Sequence, residues 1–179
     1  MTDNLKIGVV GVGSLGFHHA RILRTLEGAE LVGVHDAKPE RLDEVSRQLE
    51  VAAFPEVDAL LDRVSALVIA VPTSAHEAVA LAALERGAHL MIEKPIAPTL
   101  EAADRILARA RAAGAVVQIG HVERFNAALR ACEEYLDDPL FIESHRLAPF
   151  GPRGTDVAVV LDLMIHDLDL VLSLVRRPV

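Results

Sequence analysis

The sequence is poor in aromatic residues and in cysteine. Its 179 residues include five Phe, one Tyr and no Trp, so a folded core must consist mainly of Ala, Val, Leu and Ile. The single thiol, Cys132, excludes an intrachain disulfide and a metal site built from several cysteines. With 51% hydrophobic and 25% charged residues, the composition is that of a globular chain of one domain and a little more.

Charge and hydropathy argue against two classes of partner. The formal net charge is −8 and no basic run occurs, which disfavours nucleic acid or an anionic membrane surface. The apolar segment 157–175 contains Asp162, His166, Asp167 and Asp169, which disfavours a membrane span. No leader-like segment is recognisable, and eight histidines with one cysteine form no metal signature. We therefore predict a soluble, cytoplasmic protein without a metal.

The first motif is Gly-x-Gly-x-x-Gly, at Gly11, Gly13 and Gly16. An apolar, β-branched run precedes it, and apolar residues at helical spacing follow it. In such a strand–turn–helix unit the glycines permit a tight turn, close approach of a pyrophosphate and close packing of the helix on the strand, while the helix N-terminus supplies N–H donors. We therefore predict a dinucleotide site whose loop consists of Gly11, Val12, Gly13, Ser14, Leu15 and Gly16.

A second apolar strand ends at Asp36, 20 residues beyond Gly16. A carboxylate at this position binds the adenosine ribose hydroxyls and repels a 2′-phosphate, which favours NAD over NADP. Lys38 and Arg41 stand close by and keep NADP open. Asp36 also fits the N-cap of a helix over 38–49, and the two roles are compatible.

Strands alternate with helices as far as residue 119. This alternation predicts an α/β fold with a doubly wound parallel (Rossmann) sheet. We place 1–120 in the dinucleotide-binding domain and 121–179 in a second domain, with a strand over 140–147 and a helix over 157–175. Ligands of such sheets bind beyond the carboxyl ends of the strands. Those ends include Val71-Pro72-Thr73-Ser74 and Glu93-Lys94-Pro95.

Two further features point to chemistry. On a regular helix over 157–175, one stripe of an otherwise apolar surface contains Asp162, His166, Asp169 and Ser173. Buried ionisable groups must be paired or functional, and a carboxylate one turn before a histidine favours catalysis over a core histidine. Lys94 ends a buried strand where the nicotinamide of a dinucleotide would lie, although a lysine there is more often solvated or paired with Glu93.

Together these motifs resemble the Gfo/Idh/MocA oxidoreductases. The resemblance spans 6–175 and comprises Gly11-x-Gly-x-x-Gly, Val71-Pro72-Thr73-x-x-His76, Glu93-Lys94-Pro95, Gly120-x-x-x-Arg124-Phe125-Asn126 and Asp162-x-x-x-His166. It implies NAD-dependent oxidation of a sugar or polyol hydroxyl by hydride transfer, with Lys94 and His166 as the catalytic pair and Asp162 assisting. Some relatives have a cis Lys94–Pro95 bond, and the resemblance admits one here.

The resemblance also implies binding residues. Cofactor contacts are expected from Val71, Thr73, His76, Glu93 and Lys94, and substrate contacts from Lys94, Arg124, Asn126, His145 and His166. The segments 121–126 and 144–150 look like the nucleotide-sugar branch of the family, which acts on substrates such as UDP-N-acetylglucosamine. Ala127 departs from the family pattern, in which Pro often follows the Asn.

The resemblance implies that 121–179 is the beginning of an incomplete second α/β domain, which family members complete with a large open sheet. That sheet covers the substrate site and forms the usual oligomer interface. A homo-oligomer is therefore implied where that domain is complete. Here the sequence stops after the helix over 157–175, which would expose a large apolar surface, so we expect a truncated form that is inactive or needs a partner. The alternative function is a non-catalytic nucleotide-binding regulatory module. The joint presence of Lys94, Asp162 and His166 favours the enzyme.

Overall fold

The computed structural model describes residues 4–136, 139–147 and 158–175. The chain divides into two compact units, Met1–Ile119 and Gly120–Val179, and each is described by itself.

The first unit is a five-stranded parallel sheet in the order β2-β1-β3-β4-β5. Its strands are β1 (Leu5–Val10), β2 (Ala29–His35), β3 (Ala66–Ile69), β4 (His89–Ile92) and β5 (Val117–Ile119). The helices between them are α1 (Ser14–Leu23), α2 (Pro39–Leu49), α3 (Val57–Leu61), α4 (His76–Glu85) and α5 (Leu100–Ala113). Because the chain passes from β1 out to β2 and returns to β3 on the other side of β1, the order reverses between β1 and β3. The predicted doubly wound Rossmann sheet is confirmed.

Apolar side chains cover both faces of this sheet. On β3, Leu67 and Ile69 belong to a cluster with residues of α4 and α5, whereas Val68 belongs to a second cluster with residues of α1 and α2. This alternation follows from the two-residue period of a strand, and burial on both faces is what a parallel sheet requires. The loops at the carboxyl edge are thereby attached to a sheet that is packed on both faces.

The second unit contains short helical segments. A 3-10 turn (Val122–Phe125) leads into α6 (Ala127–Ala131), a second 3-10 turn covers Glu133–Tyr135, and a π turn (Val160–Met164) runs directly into α7 (Ile165–Leu174). The predicted α-helix over 157–175 is therefore shorter, because its first turns widen into π geometry, and Val157 lies outside the described residues.

The predicted strand over 140–147 is wrong. Residues 141–147 have no strand assignment, and no partner strand pairs with them in the part of the chain that the structure describes. A strand is stabilised by hydrogen bonds to a neighbour, so a segment without a partner forms no ladder. Among the helices of the described ranges, none combines the length and the apolar character that crossing a bilayer demands.

Candidate functional site

The three glycines of the loop after β1 differ in the space that surrounds their Cα atoms. Gly11 has φ +84°, and a Cβ there would stand 2.7 Å from backbone atoms of Ala70 and Val71, in the loop after β3. A Cβ on Gly16 would overlap the carbonyl oxygen of Gly11. A Cβ on Gly13 would meet no atom within 4 Å. Packing therefore requires glycine at Gly11 and Gly16, whereas the space over Gly13 is open and can admit a ligand.

The N-terminus of α1 faces this loop without a cap. Its N-cap residue is Gly13, no side chain accepts from its first N–H groups, and its first turn contains no acidic residue. The first N–H groups of a helix have no carbonyl four residues back, and the helix dipole adds partial positive charge there. The open space and the uncapped amides together fit the diphosphate of a dinucleotide.

Asp36 is hydrogen-bonded to the glycine loop. Its Oδ2 accepts from the backbone N–H of Val12 at 2.8 Å, and its Oδ1 accepts from the N–H of Lys38 at 2.9 Å. The N-cap of α2 is Lys38, so the N-cap interpretation of Asp36 is wrong by two residues. The carboxylate instead ties the end of β2 to the turn after β1, which places it at the loop where the adenosine end of a dinucleotide is expected.

Arg41 also holds the loop. Its Nε donates to the carbonyl of Val12 at 2.7 Å, its Nη1 donates to Glu44 at 2.8 Å, and its guanidinium lies 5.7 Å from the centre of the Phe17 ring. Arg41 is one of the two cations that kept NADP open. Its guanidinium is engaged with a carbonyl oxygen of the loop and with a carboxylate of α2. Because Arg41 and Val12 are 29 residues apart along the chain, no local sequence pattern predicts this contact.

The loops after β3 and β4 contain the buried polar side chains. Within the described ranges these are Thr73 (7% exposed), His76 (1%) and Glu93 (7%). All three were predicted as cofactor-binding residues, together with Val71 and Lys94, which lie in the same two loops. Polar groups are costly to bury unless they are hydrogen-bonded. Their concentration at one edge of an otherwise apolar core is what a binding site at that edge would require.

His76 and Glu93 both have close partners. The His76 ring lies between two carbonyls, with Nδ1 at 2.9 Å from the Pro95 oxygen and Nε2 at 3.0 Å from the Val71 oxygen. The Glu93 carboxylate lies 2.7 Å from His19 Nε2, on α1. The His76 ring thus contacts both loops, and its cofactor role stays a prediction. His19 was missed as a site residue, since 74 positions separate it from Glu93.

Lys94 lies between these contacts at the end of β4. It is half-buried, and the bond from Lys94 to Pro95 is cis. The glycine loop, Asp36, Val71, Thr73 and Lys94 thus all belong to the carboxyl edge of one sheet, as predicted from the strand order.

Arg124 of the second unit forms a two-pronged ion pair with Asp169 of α7. The distances are 2.7 Å from Nε to Oδ2 and 2.6 Å from Nη2 to Oδ1. Hydrogen bonding from Arg124 holds the pKa of Asp169 below its usual value, and the carboxylate raises the pKa of Arg124. His121 Nδ1 lies 3.9 Å from the same carboxylate. Arg124 thus connects two elements of its own unit, and its predicted contact with substrate stays a prediction.

The other predicted substrate residues of this unit have local partners. Asn126 Oδ1 accepts from the N–H of Ala128 at 3.0 Å and caps α6. His145 is 72% exposed and its Nε2 lies 2.7 Å from a Glu143 oxygen. Their roles toward a substrate stay predictions.

Asp162 and His166 belong to different kinds of turn. Asp162 lies in the π turn and His166 in the first turn of α7, and both are half-buried. The single stripe predicted for a regular α-helix therefore does not apply across residue 164, because the turn is wider there. Lys94 belongs to the first unit and these two residues to the second, so their cooperation stays a prediction.

Comparison with known proteins gives a family match. The family model Gfo/Idh/MocA, described as an oxidoreductase family with an NAD-binding Rossmann fold, matches residues 5–121. UDP-N-acetylglucosamine 3-dehydrogenase of Acidithiobacillus ferrooxidans is 44% identical over 172 residues, which are 96% of this chain and 54% of the relative. Inositol 2-dehydrogenase 4 of Saccharopolyspora erythraea is 34% identical over 177 residues, covering 92% of this chain and 52% of the relative.

Solved structures agree with these matches. UDP-N-acetylglucosamine 3-dehydrogenase GnnA from Acidithiobacillus ferrooxidans has a TM-score of 0.89 at 43% identity, covering 96% of this chain and 57% of that one. GenD2 from gentamicin A biosynthesis, solved in complex with NAD, has a TM-score of 0.72 at 25% identity, covering 77% of this chain and 40% of that one. The chain spans about half the length of the curated relatives that it matches.

Proposed function

The chain belongs to the Gfo/Idh/MocA oxidoreductases, an NAD-binding family, and on this premise we propose that the whole protein is a dehydrogenase that oxidises a sugar hydroxyl. The substrate class is a nucleotide sugar such as UDP-N-acetylglucosamine, a choice supported by the 44% identity with the Acidithiobacillus ferrooxidans enzyme. The observation that carries the proposal is the open space over Gly13, beside the uncapped N-terminus of α1.

The residues present fit NAD. The amides at the start of α1 bind the diphosphate, and the Asp36 carboxylate accepts hydrogen bonds from the adenosine ribose hydroxyls while it remains attached to the N–H of Val12. A negative charge at Asp36 disfavours a 2′-phosphate, and the guanidinium of Arg41 is already directed at the Val12 carbonyl. The chain thus favours NAD over NADP.

Catalysis requires a base for the hydroxyl proton. Bound NAD would supply the hydride acceptor for oxidation of the carbon that bears the hydroxyl to a carbonyl. Lys94 or His166 accepts the proton from the hydroxyl oxygen, and Asp162 assists by orienting the histidine or stabilising its charge. Arg124, Asn126 and His145 contribute contacts to the substrate.

We assign residues 1–120 to the NAD-binding domain and 121–179 to the start of the substrate and oligomerisation domain. Along the π turn and α7, the side chains of Leu163, Met164, Leu168 and Leu172 are exposed. Exposed apolar surface of this kind marks an interaction surface, which the rest of the second domain would cover. The whole protein is expected to form a homo-oligomer through that domain.

Turnover by the whole protein tests the activity. With UDP-N-acetylglucosamine and NAD, we expect absorbance of the reduced nicotinamide to grow with time. Lys94→Ala and His166→Ala should each lower kcat by at least 100-fold, because each removes a candidate proton acceptor, while NAD affinity stays within about threefold. A protein that binds NAD but turns over no nucleotide sugar would instead be a regulatory nucleotide-binding module.

Binding of NAD by the 179-residue chain is tested with two glycine variants. Gly13→Ala adds a methyl group only to open space, so the melting temperature should change little while NAD affinity falls at least tenfold. Gly16→Ala, the matched variant, drives a Cβ into the Gly11 carbonyl and should lower the melting temperature itself. Unchanged NAD affinity in Gly13→Ala would remove the diphosphate from this loop.

A further inference from the structure

The turn that contains Lys94 is held by two histidines from other elements. His19 reaches it from α1, and His76 reaches it from the start of α4. Neither contact is needed to build the sheet, since both lie beyond the last paired residues of β3 and β4, Ile69 and Ile92. They act on the residues immediately before and after Lys94.

The contact before Lys94 is the one to Glu93. The His19 Nε2 and a Glu93 carboxylate oxygen are 2.7 Å apart, with side-chain exposures of 18% and 9%. At this burial the pair is largely shielded from water, which strengthens a charge-assisted hydrogen bond and fixes the direction of the Glu93 side chain. The start of the turn is thereby fastened to the helix that follows the glycine loop.

The contact after Lys94 is the one to Pro95. The His76 ring is 1% exposed and lies 2.9 Å from the Pro95 oxygen on one side and 3.0 Å from the Val71 oxygen on the other. One rigid ring therefore spans the loops after β3 and β4 and fixes the distance between them. A neutral ring donates to one of these carbonyls and a protonated ring donates to both. The main chain adds a bond from the Glu93 N–H to the Ile69 carbonyl at 2.9 Å.

We infer that His19 and His76 are positioning residues for Lys94. His19 holds the turn through Glu93 and His76 holds it through Pro95, so that the lysine backbone is fixed on both sides. A lysine side chain has four rotatable bonds, and a fixed stem lowers the entropy lost when its ammonium engages a reacting group. That Lys94 acts on a substrate hydroxyl rests on the proposed function; that the two histidines fix its place does not.

Lysine methyl NMR tests the inference on the chain itself. Lys6, Lys38 and Lys94 are its three lysines, so reductive ¹³C-methylation gives one signal for each, assigned with single Lys→Arg variants. His19→Gln and His76→Gln should each move or broaden the Lys94 signal and leave those of Lys6 and Lys38 in place. His89→Gln is the matched control, because His89 begins the same strand β4 at its opposite end and accepts from the N–H of Val116 at 3.0 Å.

His19→Gln protects the test against loss of folding, since His19 is partly exposed and its removal creates no cavity in the core. A Lys94 signal that is unchanged in folded His19→Gln and His76→Gln, or that moves equally in His89→Gln, would overturn the inference. Failure of NAD to perturb any signal of the parent chain would count against the proposed function alone.

Turnover by the whole protein separates positioning from a merely structural role. His19→Gln and His76→Gln should each lower kcat by about 10- to 100-fold, because each displaces a catalytic group. KM for NAD should change less than about threefold. In a Lys94→Ala background the same substitutions should produce no further loss of kcat. Full additivity of the losses would show that the histidines do not act through Lys94.

Discussion

Asp36 couples the shape of the glycine loop to the choice of cofactor. Its two oxygens accept from the N–H groups of Val12 and Lys38 at 2.8 and 2.9 Å. Each carboxylate oxygen has a second lone pair, so these bonds leave acceptor capacity for ribose hydroxyls. The same charge that fastens the loop therefore selects against a phosphate at the ribose.

We expect Asp36→Ala to weaken NAD binding by about tenfold or more, because a charge-assisted hydrogen bond contributes about 1.5–3 kcal/mol. The ratio of NADP to NAD affinity should rise, since the repulsion of a 2′-phosphate is removed. Titration calorimetry of the 179-residue chain with each cofactor measures both changes. Asp43→Ala, which removes an exposed carboxylate from α2, is the control of equal charge. NAD bound equally tightly by the parent and Asp36→Ala would contradict the role of Asp36.

Sequence reasoning succeeded for residues whose role is local and failed for residues whose partner is distant. The turn at Gly11 and the close packing at Gly16 were predictable because a strand, a turn and a helix within one βα unit dictate them. The ribose role of Asp36 stays a prediction. Arg41 and His19 were not predictable, because their contacts cross 29 and 74 positions of the chain. Only the folded sheet brings α1 against the end of β4, and no spacing in the sequence encodes that distance.

At the scale of elements, ion pairs connect α7 to other segments of the second unit. Arg124, in the 3-10 turn Val122–Phe125, binds Asp169 of α7 through two parallel hydrogen bonds. The same helix is tied a second time, because Arg146 Nε donates to an Asp167 oxygen at 2.9 Å and Ser144 Oγ donates to the same carboxylate at 3.0 Å. Neighbouring acids on α7 thus bind two different segments.

Acid should break the Arg124–Asp169 pair in a defined pH window. Since Arg124 holds the pKa of Asp169 below its usual value of 3.8, the pair stabilises the folded state fully above about pH 4, and this stabilisation is lost as the pH falls through the lowered pKa. Arg124→Gln should raise the pKa of Asp169 toward its usual value. A ¹³C carboxyl titration of both proteins measures this.

Asp167 of the same helix is the internal reference for that titration, because Arg146 and Ser144, not Arg124, hold its pKa below the usual value, and it should stay lowered in both proteins. An Asp169 pKa that does not rise in Arg124→Gln would show that another group stabilises the carboxylate. If Arg124 binds substrate as proposed, the variant should also raise KM for the sugar without changing NAD affinity.

The hydrophobic pattern of the sequence did not predict the helix type or the strand pairing of this unit correctly. A period of 3.6 residues placed Asp162 and His166 one α-helical turn apart, but residues 160–164 form a π turn. The segment 140–147 looked like a strand, yet pairing depends on a neighbour that the segment itself does not specify. In the first unit each strand has such a neighbour, so the same reasoning held.

At the scale of the whole molecule, the buried apolar core belongs to the first unit. Within the described residues its members run from Ile7 to Ala110, and none comes from 120 onward. Two clusters, one on each face of the sheet, account for these residues. Since burial of apolar surface is the main stabilising contribution to folding, the stability of the chain should reside in this unit.

A fragment of residues 1–120 should therefore fold and bind NAD by itself. We expect its thermal unfolding midpoint, followed by far-UV circular dichroism, to lie within about 5 °C of that of the 179-residue chain, a shift that corresponds to about 1 kcal/mol for a domain of this size. NAD affinity should agree within about threefold, because Gly13, Asp36 and the loops after β3 and β4 are all retained. Gly16→Ala in the fragment is the control for a disrupted loop. A fragment that is unfolded, or folded but unable to bind NAD, would show that residues 121–179 are part of the dinucleotide-binding domain and would refute the proposed boundary at residue 120.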